Sequence, residues 1–387
     1  MPATAIPYWR LSAFYFFYFA MLGTWLPFWS LYLKDLGYNA QEIGYISAVV
    51  MVTKVFAPSL WGYLAAKTQK RIAIIRLGSA IAFFVFLAIF IRTDFWWMVA
   101  VVAAYSFFWN AVMAQFEVVT LSHLQEQFER YSQIRVWGSV GFILAVVGFG
   151  ALLEQIGMGY VPFLAAGLLA LIWLSSLIIN ERKMVYSTEQ KRGIGEILRS
   201  PTVIAFFFAC FLLQVAHGPY YTFFSIYLEE RGYTATTIGL LWSLGVIAEV
   251  VLFMVMHQVM ARFSLRDILL VSLLLTVIRW LMIGYLTDSL LALLVAQCLH
   301  AASFGAFHAV AVEFIRRLFG EHQGQGMALY SGLSFGAGGA VGAVLSGWLW
   351  VYSQSLSFAL ASFASFLALM ICFFYMHETE QHTQPAG

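Results

Sequence analysis

Seven ionisable side chains lie inside, or at the start of, long apolar stretches of this sequence. They are Lys54, Glu117, Arg135, Glu249, Arg279, His300 and His308. A charged group at the centre of a lipid bilayer costs about 2.5–3.5 kcal/mol on insertion scales, so such groups face a partner or a water-filled space. Any one of them is as readily half of a structural ion pair as a functional group. Because buried pairs seldom add net stability, the whole set indicates a polar site for ligands or protons.

The composition requires lipid as the solvent of these stretches. Of the 387 residues, 62% are hydrophobic and 10% are charged, whereas a soluble domain carries about a quarter charged residues. A membrane helix needs about 20 mostly apolar residues. Twelve segments qualify, and they predict an all-α membrane protein with twelve transmembrane helices: 8–33, 42–65, 72–91, 95–121, 134–153, 160–180, 202–228, 237–260, 267–286, 289–315, 325–349 and 355–376.

The longest polar connection, residues 181–201, divides these segments into two sets of six. We therefore predict an N-terminal six-helix bundle over residues 1–180 and a C-terminal one over residues 202–376. Residues 181–201 form the linker, and residues 377–387 form a tail.

A stretch near the start of the first set recurs in related form near the start of the second. FWSLYLKDLGYNAQEIG, residues 28–44, returns as FFSIYLEERGYTATTIG, residues 223–239, with nine of seventeen positions identical. The same offset aligns Lys54 with Glu249. Repeat-built transporters bind their ligands near the midplane, at the interface of the repeats. The repeat predicts two pseudo-symmetric bundles whose interface is made unequal by these two charges.

Basic residues are distributed unevenly between the connections. The N-terminus and the even connections hold most of them, whereas the odd connections hold Lys34, Arg92 and Arg231. By the positive-inside rule, both termini and the linker lie in the cytoplasm. We expect a multi-pass protein of a bacterial inner membrane.

Other functional classes find no support in the sequence. A net charge of +2 does not indicate a nucleic-acid partner. HExxH and nucleotide-binding loops are absent from the sequence, so we expect neither an enzyme, nor a cofactor, nor an ATP-driven pump. The cysteines Cys210, Cys298 and Cys372 lie in apolar runs without metal-binding spacing, and we expect them to pack as small apolar residues.

Several motifs resemble the major facilitator superfamily. RVWGSVGF (135–142), after a helix bearing Glu117, resembles the branch that contains lactose permease and the phenylpropionate permease. In the second half, AHGPYY (216–221) and LWSLGVIAEV (241–250) fit the same branch. The resemblance covers nearly the whole chain. It implies the major facilitator fold, alternating access and proton symport.

The resemblance also implies a substrate site. Glu117 and Arg135 match the pair that hydrogen-bonds the sugar in lactose permease, whereas Phe142 replaces its sugar-stacking tryptophan. The aspartates of its seventh helix are replaced here by the region around Tyr221. These departures argue against a sugar. We predict that Glu117, Arg135, Phe142, Lys54 and Tyr221 bind the substrate.

A second set of residues is predicted to couple transport to protons. Glu249, Arg279 and His300 match charged residues of lactose permease, but Ser303 stands where that protein has its proton-coupling glutamate. A carboxyl group removed from water keeps its proton to higher pH. We therefore expect Glu249 to carry the proton, with Arg279, His300 and His308 in support.

The predicted function is proton-coupled uptake of a small aromatic carboxylate of the 3-phenylpropionate type. One cation in excess among aromatic side chains suits such an anion, since a guanidinium matches a carboxylate. The alternatives are symport of an oligosaccharide or nucleoside, and drug efflux by antiport. The expected partners are the substrate, protons and the lipid bilayer, and we expect a monomer.

Overall fold

The computed structural model describes residues 6–125, 127–182 and 194–376. Most of the predicted linker and the whole predicted tail lie outside these ranges. The described residues form helices and contain no strand. The first half holds α1 (Tyr8–Asp35), α2 (Ala40–Thr68), α3 (Arg71–Phe86), α4 (Phe95–Leu124), α5 (Tyr131–Ile156) and α6 (Val161–Leu177).

The second half is more interrupted. It holds α7 (Gly195–Leu198), α8 (Pro201–Ala216), α9 (Gly218–Glu229), α10 (Ala235–Arg262), α11 (Leu265–Tyr285), α12 (Leu290–Cys298), α13 (Phe307–Phe319), α14 (Gln323–Tyr330), α15 (Gly339–Trp350) and α16 (Gln354–Tyr375). Turns of π-helix join α12 to α13 (Ala301–Ala306) and α14 to α15 (Ser331–Gly338).

Eleven helices of the described chain are long and apolar enough to cross a membrane. One of them, Leu290–Trp350, runs for 61 residues, about twice the length of the others. The chain reverses direction at the turn Gly320–His322. The reversal is shown by Gly326, which packs against Ile315 and Phe319 of the preceding helix. This helix therefore makes two passes, and the predicted twelve-helix architecture in two pseudo-symmetric bundles is confirmed.

The repeated stretch folds in the same way in both copies. Gly37 and Gly232 end α1 and α9 with φ of 89° and 82°, a left-handed backbone that glycine adopts without steric cost. Asn39 then caps α2 by accepting a hydrogen bond from the backbone N–H of Glu42, and Thr234 caps α10 in the equivalent way. Local sequence thus sets the turn and the helix start of each copy.

One repeated tyrosine, Tyr38 in the first copy and Tyr233 in the second, also has the same role in both. The hydroxyl of Tyr38 donates a hydrogen bond to the carbonyl of Thr93 over 2.6 Å, and that of Tyr233 donates to the carbonyl of Thr287 over 2.9 Å. Each bond ties the turn within the repeat to the connection before the fourth pass of its own bundle. The identity at this position is therefore structural.

The two bundles meet along what we call the glycine seam: Ala40 and Gly44 of α2, Val146 and Gly150 of α5, Ala235 and Gly239 of α10, and Ala343 and Gly347 of α15. A Cβ atom on Gly44 would lie 2.8 Å from the carbonyl oxygen of Ala343. A Cβ on Gly239 would lie 2.2 Å from that of Val146. Small residues permit this close approach of helices.

The remaining seam contacts repeat the pattern in reverse. A Cβ on Gly150 would lie 2.7 Å from the carbonyl oxygen of Ala235, and one on Gly347 would lie 2.7 Å from that of Ala40. The pairs α2–α15 and α5–α10 are therefore equivalent under the pseudo-two-fold relation of the halves.

An ion pair joins the halves beside the seam. The ammonium of Lys34, at the end of α1, lies 2.9 Å from a carboxylate oxygen of Glu229 and 3.1 Å from one of Glu230, at the end of α9. All three side chains are about one-third exposed. Lys34 and Glu229 occupy the same position in the two copies of the repeat.

Candidate functional site

Arg135 lies near the start of α5 and is half-buried. Its guanidinium carbon is 3.9 Å from the ring centroid of Phe19 and 5.7 Å from that of Tyr15, both on α1. Among the described residues we find no hydrogen-bond or ion-pair partner for this side chain. A guanidinium has five N–H donors, and these donors remain open to a ligand.

Glu117, on α4, is also half-buried. Within the described chain it has no ion-pair partner closer than 4.0 Å, although it interacts electrostatically with Arg135. The predicted pair is thus brought into one region, but its members are not in contact. Two tyrosines of α1, Tyr15 and Tyr18, interact with the same carboxylate.

The aromatic residues of α1 were missed from the sequence. Tyr15, Tyr18 and Phe19 line the region between Glu117 and Arg135, and Tyr18 stacks on Trp109 with ring centroids 4.9 Å apart. The available signal was the run of aromatic residues FYFFYF, residues 14–19. In such a run the composition alone does not distinguish the face that meets α5 from the face that meets lipid.

Lys54 is half-buried on α2, beside the last close contact between α2 and the second bundle. At that contact a Cβ on Gly336 would lie 2.5 Å from the side chain of Val55. The neighbouring Thr53 hydroxyl pairs with Ser106 and accepts a bond from Asn110 of α4. In residues 6–125, 127–182 and 194–376 the ammonium of Lys54 itself has no ion-pair or hydrogen-bond partner.

Glu249 and His300 meet in the second bundle, with His300 Nε2 3.6 Å from a carboxylate oxygen of Glu249. Two glycines make room for the contact: a Cβ on Gly305 would lie 3.1 Å from Cγ of Glu249, and one on Gly245 would lie 3.4 Å from the His300 ring. His300 immediately precedes the π-helical turn Ala301–Ala306. Such turns widen a helix locally and often occur at functional sites.

His308 belongs to the same region. Its Nδ1 lies 3.1 Å from the hydroxyl of Tyr330, and it interacts electrostatically with Glu249. Glu249 also interacts with Arg135 of the first bundle, although the two side chains form no ion pair. The structure therefore brings Arg135, Glu249 and His308 together across the junction of the halves.

Arg279 is fully buried and fully engaged. Its guanidinium donates to the carbonyl of Ala296 and the hydroxyl of Ser303, each over 2.9 Å, and to the amide oxygen of Gln297 over 3.3 Å. It also lies 4.3 Å from the ring centroid of Tyr220. Every recorded partner is neutral, so this cation adds positive charge to the site without being open to direct contact with a ligand.

Two predicted binding residues have different surroundings. Tyr221 is half-buried, and its ring stacks on His217 at 5.4 Å. Phe142 is 4% exposed, and its backbone packs against Gly23 where α1 crosses α5. Tyr221 therefore lies on the edge of the charged region, whereas Phe142 lies in a helix contact.

His217 was not singled out from the sequence. It is fully buried at the break between α8 and α9, where its Nδ1 pairs with the carbonyl of Leu213. Its Nε2 has no partner among the described residues. The following residues, Gly218 and Pro219, were the signal for a break at this point.

The arrangement can bind a small polar or anionic molecule, but it offers no assembled nucleophile. The described residues contain no group of three or more side chains suited to a metal ion. Separated cations and carboxyls at the junction of two bundles instead suit reversible binding.

The comparisons with known proteins agree with this picture. The sequence profile of the MFS_1-like family matches residues 8–361. The chain is 30% identical to the probable 3-phenylpropionic acid transporter of Escherichia coli, over 88% of this chain and 91% of that protein. It is 25% identical to the putative nucleoside transporter YegT of Escherichia coli, over 94% of this chain and 90% of that protein.

Solved structures give the same fold. The nucleoside transporter NupG, in the structure of a mutant form, superposes with a TM-score of 0.86 at 15% identity, covering 95% of this chain and 99% of that one. A bacterial homologue of the lysosomal transporter Spinster, in an inward-facing and occupied conformation, superposes with a TM-score of 0.71 at 14% identity, covering 96% and 98% of the two chains.

Proposed function

Because the chain belongs to the MFS_1-like family of the major facilitator superfamily, and is therefore a multi-pass membrane transporter rather than an enzyme, we propose that it takes up a small aromatic carboxylate together with protons. The substrate is of the 3-phenylpropionate type. It binds between the two bundles, which expose the site to each side of the membrane in turn.

The observation that carries this proposal is the state of Arg135. Its guanidinium rests on Phe19 with no acid partner among the described residues. A carboxylate accepts two parallel N–H bonds from such a group. Of the neighbouring rings, Phe19 is partly exposed and offers an aromatic surface for the rest of the molecule, whereas Tyr15 and Tyr18 are buried. The relative named for 3-phenylpropionic acid supports the same substrate class.

Glu249 is the proposed proton carrier. One of its carboxylate oxygens lies 3.6 Å from Nε2 of His300, and it interacts electrostatically with His308 and Arg135. When the site is empty, Glu249 and Arg135 attract each other across the junction. Arrival of the substrate carboxylate occupies Arg135, and protonation of Glu249 then removes the unpaired negative charge.

For orientation and organisation we propose what the sequence predicts. We propose that both termini and the linker over 181–201 are cytoplasmic, in a bacterial inner membrane. The bundles span residues 1–180 and 202–376, and the protein acts as a monomer.

A nucleoside is the second candidate substrate. Glu117 and Arg135 are both free of ion-pair partners in the described chain, so together they offer an acceptor and a donor for sugar hydroxyls. The putative nucleoside transporter among the relatives favours this alternative. It predicts uptake that does not depend on a carboxylate.

The deciding experiment is uptake of labelled 3-phenylpropionate into proteoliposomes that contain the purified protein, with and without an inward proton gradient. We expect the gradient to stimulate accumulation, and we expect neither sugars nor nucleosides to inhibit it. Uptake of labelled nucleoside in place of the acid would favour the second candidate. No uptake of either compound by folded protein would refute both substrates.

A further inference from the structure

Arg135 points in an unexpected direction. It lies one turn from the start of α5, and helical side chains lean toward the helix N-terminus. Long basic side chains near a membrane surface also extend toward water. Both tendencies would carry the guanidinium of Arg135 to the near end of α5. Instead, Nη1 lies 2.7 Å from the point where a Cβ on Gly138 would stand, one turn deeper in the helix.

Two residues make this direction possible. Phe19 offers its ring face at 3.9 Å from the guanidinium carbon, and this contact replaces part of the lost hydration. Gly138 leaves the necessary space, because a Cβ there would also lie 2.8 Å from Cδ2 of Phe19. The ring of Phe19 and the guanidinium of Arg135 thus both occupy the space beside Gly138, where α1 contacts α5.

A side chain at position 138 would displace the cation before it displaced the helices. The closest atom, Nη1, is the far end of a flexible chain, and the next is the edge of a ring. At Gly141, in contrast, a Cβ would lie 2.2 Å from the backbone oxygen of Phe16. The two glycines therefore differ: Gly141 sets the helix spacing, whereas Gly138 leaves room for Arg135.

In this direction, Arg135 forms no hydrogen bond or ion pair with any of the described residues. The carboxyls that face it are Glu117 of α4 and Glu249 of α10, and both interact with it only through space. A cation held toward the bilayer centre without a bonded partner is in a position to receive an anion.

We infer that Phe19 and Gly138 are positioning residues, which turn the guanidinium of Arg135 away from the near end of α5 and hold it at the level where the anionic group of the substrate binds. The inference rests on the proposed function for its transport consequences. Its geometric content, the direction of Arg135, stands apart from the identity of the substrate.

The first experiment compares Gly138→Ala with Gly148→Ala on the same helix. Gly148 has no atom within 4 Å of its would-be Cβ, so its alanine variant controls for the glycine-to-alanine change. We expect Gly138→Ala to raise the KM for 3-phenylpropionate about tenfold with little change in the maximal rate, since about 1.4 kcal/mol of binding is lost. Equal KM values for the two variants would overturn the inference.

The second experiment varies the ring. Phe19→Leu removes the cation–π contact and is expected to raise the KM about two- to fivefold. Phe19→Tyr keeps a ring face and is expected to recover most of that loss. Fluorinated phenylalanine at position 19 weakens the ring's attraction at nearly constant volume and is expected to raise the KM in proportion to fluorination. A KM that follows side-chain volume and ignores fluorination would contradict the role of Phe19.

The third experiment needs no substrate. Phenylglyoxal modifies exposed arginines, and the modified peptide is quantified by mass spectrometry on purified protein. We expect Arg135 to react severalfold faster in Gly138→Ala and Phe19→Leu than in the wild type, while exposed Arg10 reacts equally in all three. An unchanged rate at Arg135 would overturn the inference. Faster reaction in a protein that fails to transport 3-phenylpropionate would support the positioning role and reject the substrate.

Discussion

The glycine seam and the charged site lie on the same helices, yet they treat symmetry in opposite ways. Gly44 and Lys54 are ten residues apart on α2, as are Gly239 and Glu249 on α10, which is about 15 Å along each helix. At the seam, three of the four equivalent pairs of positions hold the same residue: Ala40 and Ala235, Gly44 and Gly239, and Gly150 and Gly347. At the site, they hold opposite charges. A joint that two bundles share needs equal contacts on both sides, whereas selective binding needs unequal ones.

The largest effect on uptake is expected at the charged site. Arg135→Gln removes the proposed anion-binding cation, and Glu117→Gln removes its carboxyl counterpart. For Arg135→Gln, loss of the cation that pairs with a bound anion costs about 2–5 kcal/mol, which is at least about thirtyfold in affinity. Glu117→Gln instead removes a carboxylate that interacts electrostatically with Arg135. We expect uptake of 3-phenylpropionate to fall to background with normal amounts of protein in the membrane. Full transport by both variants would remove these residues from the site.

The seam is tested by filling it. Gly44→Leu and Gly239→Leu place side chains against the carbonyls of Ala343 and Val146, and overpacking of this kind costs about 1–3 kcal/mol. Because the contacts are equivalent, both variants are expected to slow uptake by a similar factor, about tenfold, while equilibrium binding of substrate persists.

The matched control for the seam is Gly167→Leu, since Gly167 has open space around its would-be Cβ. We expect wild-type uptake from this variant. A strong effect at only one of the two seam glycines would show that the halves do not move as equivalent bodies.

Lys54 and Glu249 occupy equivalent positions of the repeat and carry opposite charges, so we expect their variants to behave differently. Glu249→Gln is expected to lose stimulation by the proton gradient and to keep exchange of substrate across the membrane. Lys54→Gln is expected to keep the stimulation and to bind the anion more weakly. Measurement of uptake and exchange, each with and without the gradient, separates the two. Identical behaviour of both variants would contradict unequal roles.

The smallest effect is expected at the ion pair of Lys34 with Glu229. The pair is partly exposed, and such pairs contribute about 0.2–1 kcal/mol. Lys34→Glu should change the uptake rate by no more than about fivefold. Addition of Glu229→Lys should restore it, since the charges then face each other in exchanged order. A double variant as impaired as the single one would argue against a direct role for the pair in transport.

Hydropathy predicted the fold well because a single apolar segment that crosses the bilayer can form all its backbone hydrogen bonds only as a helix. The segment predicted at 95–121 is α4, Phe95–Leu124, and the segment predicted at 237–260 is α10, Ala235–Arg262. Pro219 indicated the break at His217, whereas the π-helical turn Ala301–Ala306 was not predicted. Such interruptions depend on packing partners that periodicity does not reveal.

For the site, the sequence identified residue types better than their surroundings. It marked Glu249 and His300, which meet, and Arg279, whose neutral partners Ala296, Ser303 and Gln297 were not foreseen. It missed the α1 rings altogether. Whether a side chain meets a ligand, a neighbour or lipid depends on the rotation of its helix, and hydrophobic periodicity is weak in helices that are apolar on every face. The predicted roles of the site residues stay predictions.

The bridge between Lys34 and Glu229 has a consequence for the origin of the chain. The two residues are one position of a duplicated sequence, and they meet because that position lies next to the axis that relates the halves. In a dimer of two identical half-length chains, the same position would face its own copy. Lysine would then oppose lysine, or glutamate would oppose glutamate, and the contact would be repulsive. This attraction therefore requires two halves that have diverged from each other at this position.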